Sequence, residues 1–159
     1  MKVVISGSFR KHLAQIMELK GYLEDFGIEV LNPKNKGTVE NLINPEFVLF
    51  DGESEVDEEE LEKRYLKSIA SSDAHIVADF DGYIGETTTS ELLFACSMNI
   101  PVYLVAPIQS TYILNKAPSI AMSSAFQNLI NNGKIKIGLN SMIADYNIGG
   151  QQLKKGNNK

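Results

Sequence analysis

Val3-Val4-Ile5-Ser6-Gly7-Ser8-Phe9-Arg10, read together with Gly27-Ile28-Glu29-Val30-Leu31-Asn32-Pro33, decides the fold of this chain. Val3-Val4-Ile5 is a compact β-branched run, the pattern of a strand buried on both faces. Ser6-Gly7-Ser8 follows as a turn. From Arg10 to Phe26 the apolar residues Leu13, Ile16, Met17, Tyr22, Leu23 and Phe26 recur at helical spacing. Gly27 suits the left-handed position that closes a helix. Ile28 to Leu31 then reads as a second strand, stopped by Asn32-Pro33. The result is a β-α-β unit, the crossover that parallel strands require, and it is almost always right-handed.

The same alternation continues outward. Lys34 to Gly52 is less regular, with Phe47-Val48-Leu49-Phe50 readable as a short strand or a packed loop. Glu53 to Glu62 is acidic and reads as a solvated helix start, favoured by the helix dipole. Leu61, Tyr65, Leu66 and Ile69 continue it as an apolar stripe. Ala74 to Ala78 is a third strand, Gly82 to Thr89 a loop, Glu91 to Met98 a helix and Ile100 to Val105 a fourth strand. Ala121 to Ile130 reads as helical and Lys134 to Ile137 as a fifth, edge strand. This order predicts a doubly wound α/β fold, a parallel sheet of about five strands with helices on both faces. One domain is expected over residues 1–150, with a polar, frayed tail at 151–159. Ligands of such folds bind beyond the carboxyl ends of the strands.

The bulk numbers agree with one self-sufficient domain. The chain has 159 residues, 43% apolar and 22% charged, an ordinary globular balance. A chain of this size buries roughly 70% of its unfolded surface. The single cysteine, Cys96, has no internal partner, which favours a reducing, cytoplasmic setting. The net charge of −5 opposes binding to a nucleic acid polymer. Ile100 to Ile108, the longest strongly apolar stretch, is broken by Pro101 and Pro107 and falls far below the ~20 residues of a membrane span. The first five residues are too short for a signal sequence and read as a strand.

Three segments carry candidate chemistry. In Ser6-Gly7-Ser8-Phe9-Arg10 a glycine turn enters a helix and exposes N–H groups, an anion seat to which Ser8 and Arg10 add a hydroxyl and a guanidinium. Ser8 is equally an N-cap. Asp73 precedes the third strand and is readable as a turn cap. In Gly85-Glu86-Thr87-Thr88-Thr89-Ser90-Glu91, Thr88 and Glu91 have capping-box spacing. A carboxylate at that place is also a candidate nucleophile or base, as in glycosyl transfer. Asp79 and Asp81 leave the third strand and can touch a sugar, hold the Glu91 loop or simply end the strand. His12 lies beside the anion turn, His75 reads as a core residue, and Cys96 as packing. No metal-ligand spacing stands out, and no cofactor is implied.

This ordered set resembles the nucleoside 2-deoxyribosyltransferase superfamily, which includes the 2′-deoxynucleoside 5′-monophosphate N-hydrolases. The resemblance runs from about Val3 to Pro107. Gly7-Ser8-Phe9-Arg10 is similar to the family's Gly-Ser-Ile-Arg, and Ser90-Glu91-Leu92-Leu93-Phe94-Ala95 to its Tyr-Glu-Leu-Gly-Arg-Ala. Asp73 stands before a hydrophobic strand, as the family's catalytic aspartate does. Val4 replaces a frequent tyrosine, and Thr87-Thr88-Thr89-Ser90 replaces a glycine-rich loop, with Thr88 in reach of a phosphate-binding role. The resemblance implies that Glu91 attacks C1′ of a (deoxy)nucleoside or its 5′-monophosphate and that Asp73 moves a proton or orients the site. It implies that Gly7, Ser8, Phe9 and Arg10 hold the sugar or phosphate. It also implies a homo-oligomer whose neighbouring subunit completes the site, with Ser110 to Ser124 as the candidate segment. Hydrolysis and transfer to another base are both open. A non-catalytic nucleotide-binding module on the same fold is the competing reading. A phosphoribohydrolase of the lysine-decarboxylase-like group is a third, although its double-glycine signature is missing.

Overall fold

The computed structural model describes residues 1–34, 36–40, 48–50, 58–111 and 120–148. β1 (Lys2–Gly7), α1 (Phe9–Asp25) and β2 (Glu29–Asn32) form the first crossover. Gly27, at φ +78°, supplies the left-handed residue that the turn into β2 requires. β3 (Lys36–Glu40) and β4 (Val48–Phe50) pair antiparallel as a separate ribbon. Then come α2 (Glu58–Ala70), β5 (Ala74–Ala78), β6 (Tyr83–Ile84), α3 (Glu86–Ser97), β7 (Val102–Leu104), β8 (Ser110–Thr111), α4 (Ile120–Asn131), β9 (Ile135–Ile137) and α5 (Leu139–Asp145). The main sheet has the order β2-β1-β5-β7-β9, with every neighbouring pair parallel. β9 is the edge strand that the sequence predicts.

Helices cover both faces, so the doubly wound α/β class holds. Val3 and Ile5 of β1, Ala74, Ile76 and Ala78 of β5 and Tyr103 of β7 pack on Ile16, Leu19 and Leu23 of α1 and Met142 of α5. The alternate residues Val4, Val77, Val102 and Leu104 pack on Ile69 of α2, Leu92, Ala95 and Cys96 of α3 and Phe126 of α4. The two-residue period of a strand sorts the side chains in this way. It also sends Ser6 and His75, both fully buried, to the second face beneath α2 and α3.

Two expectations need correction. Glu91 does not open a helix, because α3 begins at Glu86. Gly82 to Thr89 is not one loop, since β6 lies within it and pairs with β8. Phe47, the first half of the acidic run from Glu53, the middle of the Ser110 to Ser124 segment and the tail at 151–159 lie outside the described residues. Among the described residues no helix is long and apolar enough to cross a membrane.

The strand order reverses between β1 and β5: the chain leaves β1 for β2 on one side and later returns to β5 on the other. The switch point of the sheet therefore lies between the carboxyl ends of β1 and β5. The backbones are tight there. A Cβ on Gly7 would sit 3.1 Å from the Ala78 carbonyl oxygen, 3.2 Å from Ile16 Cδ1 and 3.3 Å from Ala78 Cβ. Gly7→Ala is accordingly expected to lower the unfolding free energy by about 1–3 kcal/mol through overpacking, measured by urea denaturation.

Candidate functional site

Gly85 is the N-cap of α3, and the helix runs through the three threonines. The Thr89 hydroxyl donates back to the Gly85 carbonyl at 2.7 Å, the i−4 bond open to a threonine within a helix. Glu91 therefore falls in the second turn. A capping box needs its threonine at the N-cap, but Thr88 is already helical, so that reading of the pair is overturned. Thr88, Glu91, Leu92 and Ala95 instead form one inward stripe, all buried. Glu91 is only 5% exposed.

Two groups meet its carboxyl. Glu62, from α2, shares a hydrogen bond with it, and the Ser6 hydroxyl of β1 donates to it. Burial first, then the nearby Glu62 charge, push the Glu91 carboxyl well above its ordinary range, and the Ser6 bond works in the opposite sense. Two carboxyls in contact cannot both ionise cheaply, so they hold one proton between them and titrate as a pair.

Sequence reading missed Glu62 because it sits inside an acidic run. The solvated-helix reading holds for Glu59, paired with Lys63 at 3.0 Å, and for Glu60, paired with Arg64 at 3.2 Å. Glu62, however, stands one turn before Tyr65, Leu66 and Ile69, in register with the buried stripe of α2. That spacing was the available signal. α2 is fastened over the site by Tyr65, whose hydroxyl donates to the Ile5 carbonyl and whose ring takes Phe9 edge-on at 6.2 Å.

Behind Ser6 stands His75, with Nε2 at 2.6 Å from the Ser6 oxygen. Burial lowers the His75 pKa to about 3, so the ring is neutral. The core reading of His75 is right about burial but lacked this polar partner.

The carboxyl ends of β1 and β5 frame the opening. Ser8 occupies the N-cap of α1, its carbonyl accepting the Lys11 and His12 N–H groups at 3.2 and 2.8 Å. Its hydroxyl makes no capping bond, and no acidic residue lies in the first turn of α1. Arg10 is exposed on the same turn. Asp81 is engaged elsewhere. It pairs with Lys11, accepts the Tyr83 N–H at 3.1 Å and is pulled down to about 2, chiefly by Lys11. His12 reaches the same carboxylate at 3.5 Å and packs edge-on against Phe80. Asp81 is thus a brace between α1 and the loop after β5. Asp79 is buried at the end of β5. Its Oδ1 accepts the Ala106 N–H at 3.0 Å, and Oδ2 has no hydrogen-bond partner among the described residues. Burial raises its carboxyl to about 7.

Asp73 is a further correction. It precedes β5, and the register pairs Ala74 with Val3 and Ala78 with Gly7. Asp73 therefore lies at the amino ends of the strands, where its carboxylate accepts the Lys2 N–H at 2.6 Å. About 20 Å of extended chain separates it from Asp79. The fold brings together Gly7, Ser8, Thr88 and Glu91, adds Glu62 and Ser6, and leaves Asp73 at the opposite end.

No family model matches the chain, and no curated protein matches it. Among solved structures, the chain is similar to the 2-deoxyribosyltransferase of the psychrotolerant bacterium Bacillus psychrosaccharolyticus, at 21% identity and a TM-score of 0.44, over 65% of this chain and 71% of that one.

Asp79 gives a pH signature. Its proton is held to about pH 7 in the folded chain, against 3.8 for an ordinary aspartate. The folded state thus binds more protons between those values, and stability falls as pH rises through that window. Urea unfolding from pH 4 to pH 8 is expected to show this fall, and Asp79→Asn to remove about 2–4 kcal/mol of it.

Proposed function

We propose that this protein cleaves the N-glycosidic bond of a (deoxy)nucleoside or nucleoside 5′-monophosphate through Glu91 as nucleophile, releasing the sugar to water or to a second base. The observation that carries this reading is the buried Glu91–Glu62 carboxyl pair on the face that opens at the sheet's switch point. Burying a like-charged pair destabilises a fold, and apolar residues would fill the space better. The capping role that would have explained Glu91 structurally is gone. A carboxyl kept in such a place has a chemical use. The motif resemblance at Gly7 to Arg10 and at Ser90 to Ala95 points to the same chemistry.

The pair's single proton balances the reaction. It passes from Glu91 to Glu62, leaving Glu91 ionised. Glu91 attacks C1′, an ester bond forms, and the C1′–N bond breaks with its electron pair going to the base. The base takes the proton from Glu62 by way of solvent in the cleft. Glu62, now ionised, accepts a proton from the incoming water as the water attacks C1′ and Glu91 leaves. The pair again holds one proton. In this scheme Glu62 takes the part first assigned to Asp73. The Ser8 turn seats the sugar or its phosphate with N–H groups and a free hydroxyl.

The test is chromatographic detection of free base from deoxynucleosides, ribonucleosides and their monophosphates, with and without a second base. Native protein is expected to release base, and Glu91→Gln to lower the rate at least about a thousandfold. The urea midpoint of Glu91→Gln at pH 8 should not fall, since no cap is lost and a buried acid is removed. No base from any substrate, or an equally active Glu91→Gln, overturns the proposal. The first outcome would favour a binding module.

A further inference from the structure

Ser6 on β1 and His75 on β5 are fully buried polar side chains to which the scheme above gives no part. Both lie at positions where the strand pattern calls for apolar residues, beside Val4 and Val77. The Ser6 hydroxyl has one proton and two neighbours, the Glu91 carboxyl and His75 Nε2. With its proton given to Glu91, Ser6 can only accept from the ring. Nε2 must then carry the hydrogen. The far side of the ring agrees: Nδ1 is buried with no hydrogen-bond partner among the described residues. A bare acceptor there is tolerable, whereas a stranded N–H is rarely found.

The bonds therefore run in one direction, from His75 Nε2–H to Ser6 Oγ and from Ser6 Oγ–H to Glu91. The ring is neutral through the working pH range, so it acts as a fixed donor and not as a proton source. Without it the Ser6 hydroxyl is free to rotate, and its proton has other acceptors, such as its own strand's carbonyls. With it, one lone pair is occupied and the proton is aimed at the carboxyl.

We propose that His75, acting through Ser6, is a positioning residue that aims a hydrogen bond at Glu91 and so favours its ionised, attacking form. This rests on Glu91 being the nucleophile. Among the described residues, the titratable groups facing Glu91 are Glu62 from α2 and, behind Ser6, His75 from β5. β7 and α4 present Val102, Leu104 and Phe126 to the same cluster. The Glu62 carboxyl raises the cost of ionising Glu91, and the His75–Ser6 arm lowers it.

The experiment reads the carboxyl directly and needs no substrate. Protein carrying ¹³C at glutamate Cδ is titrated by NMR, with the Glu91 signal assigned by its loss in Glu91→Gln. Ser6→Ala is expected to raise the apparent midpoint of the pair by about one pH unit. His75→Leu should raise it comparably, and the double variant no further than Ser6→Ala alone. His75→Gln, whose side-chain amide can stand in for Nε2–H, should restore the native midpoint. In native protein the ring nitrogen shifts should report hydrogen on Nε2. An unmoved midpoint in Ser6→Ala, additive shifts in the double variant, or hydrogen on Nδ1 overturns the proposal. Where base release is seen, the acid limb of kcat/KM should move to higher pH with the midpoint, and KM should change little. Shifted midpoints without base release from any substrate would support the positioning arm and reject glycosidic-bond cleavage, so the two failures are distinguishable.

Discussion

The parallel pairing of β1 with β5 is the constraint on which the rest of the site depends. Its register, from Val3 against Ala74 to Gly7 against Ala78, fixes which residues leave the sheet together. It puts Ser8 and Asp79 side by side at the carboxyl ends and Lys2 and Asp73 at the amino ends. It also sets Ser6 diagonally across from His75, on one face, within a single hydrogen bond. Gly7 is what lets the strands close this far, because any side chain there would meet β5 and α1 at once. A slip of β1 by one residue against β5 would put Ser6 and His75 on opposite faces of the sheet and dismantle the arm behind Glu91.

Against this frame the chain spends stability on one polar cluster. Most of its interior follows the ordinary logic of apolar burial, with strand residues sorted between two helix layers. Beneath α2 and α3 that logic is broken by Ser6, His75, Thr88, Glu91 and, at the strand end, Asp79. The like-charged Glu62 and Glu91 are brought into contact rather than separated. Each departure alone has a bland explanation. Together, in one place and with His75, Ser6 and Glu91 linked in series, they form a site in which a carboxyl is desolvated, proton-coupled and oriented. Those are the conditions under which a weak nucleophile becomes a useful one. The surrounding ties have a supporting role. Tyr65 pins α2 to β1, and the Lys11–Asp81 pair pins α1 to the loop beyond β5.

The amino-acid sequence alone determined the layered fold. Val3 to Ile5, the helical spacing from Leu13 to Phe26 and the closing Gly27 are local patterns, and local patterns are set by backbone geometry that neighbouring residues share. Glu91 and the Ser8 turn were legible for the same reason, as short motifs next to recognisable elements. Only the tertiary structure decided what surrounds Glu91. Whether it capped a helix or lay inside one depended on where α3 begins, and weak helix formers at Thr87 to Thr89 concealed that start. Whether Asp73 or Glu62 was the second carboxyl depended on which end of β5 faces the switch point and which side of α2 faces the sheet. Ser6 and His75 are 69 residues apart in the chain. A hydrogen bond across that separation leaves no trace in spacing or periodicity, because it exists only once two strands have aligned.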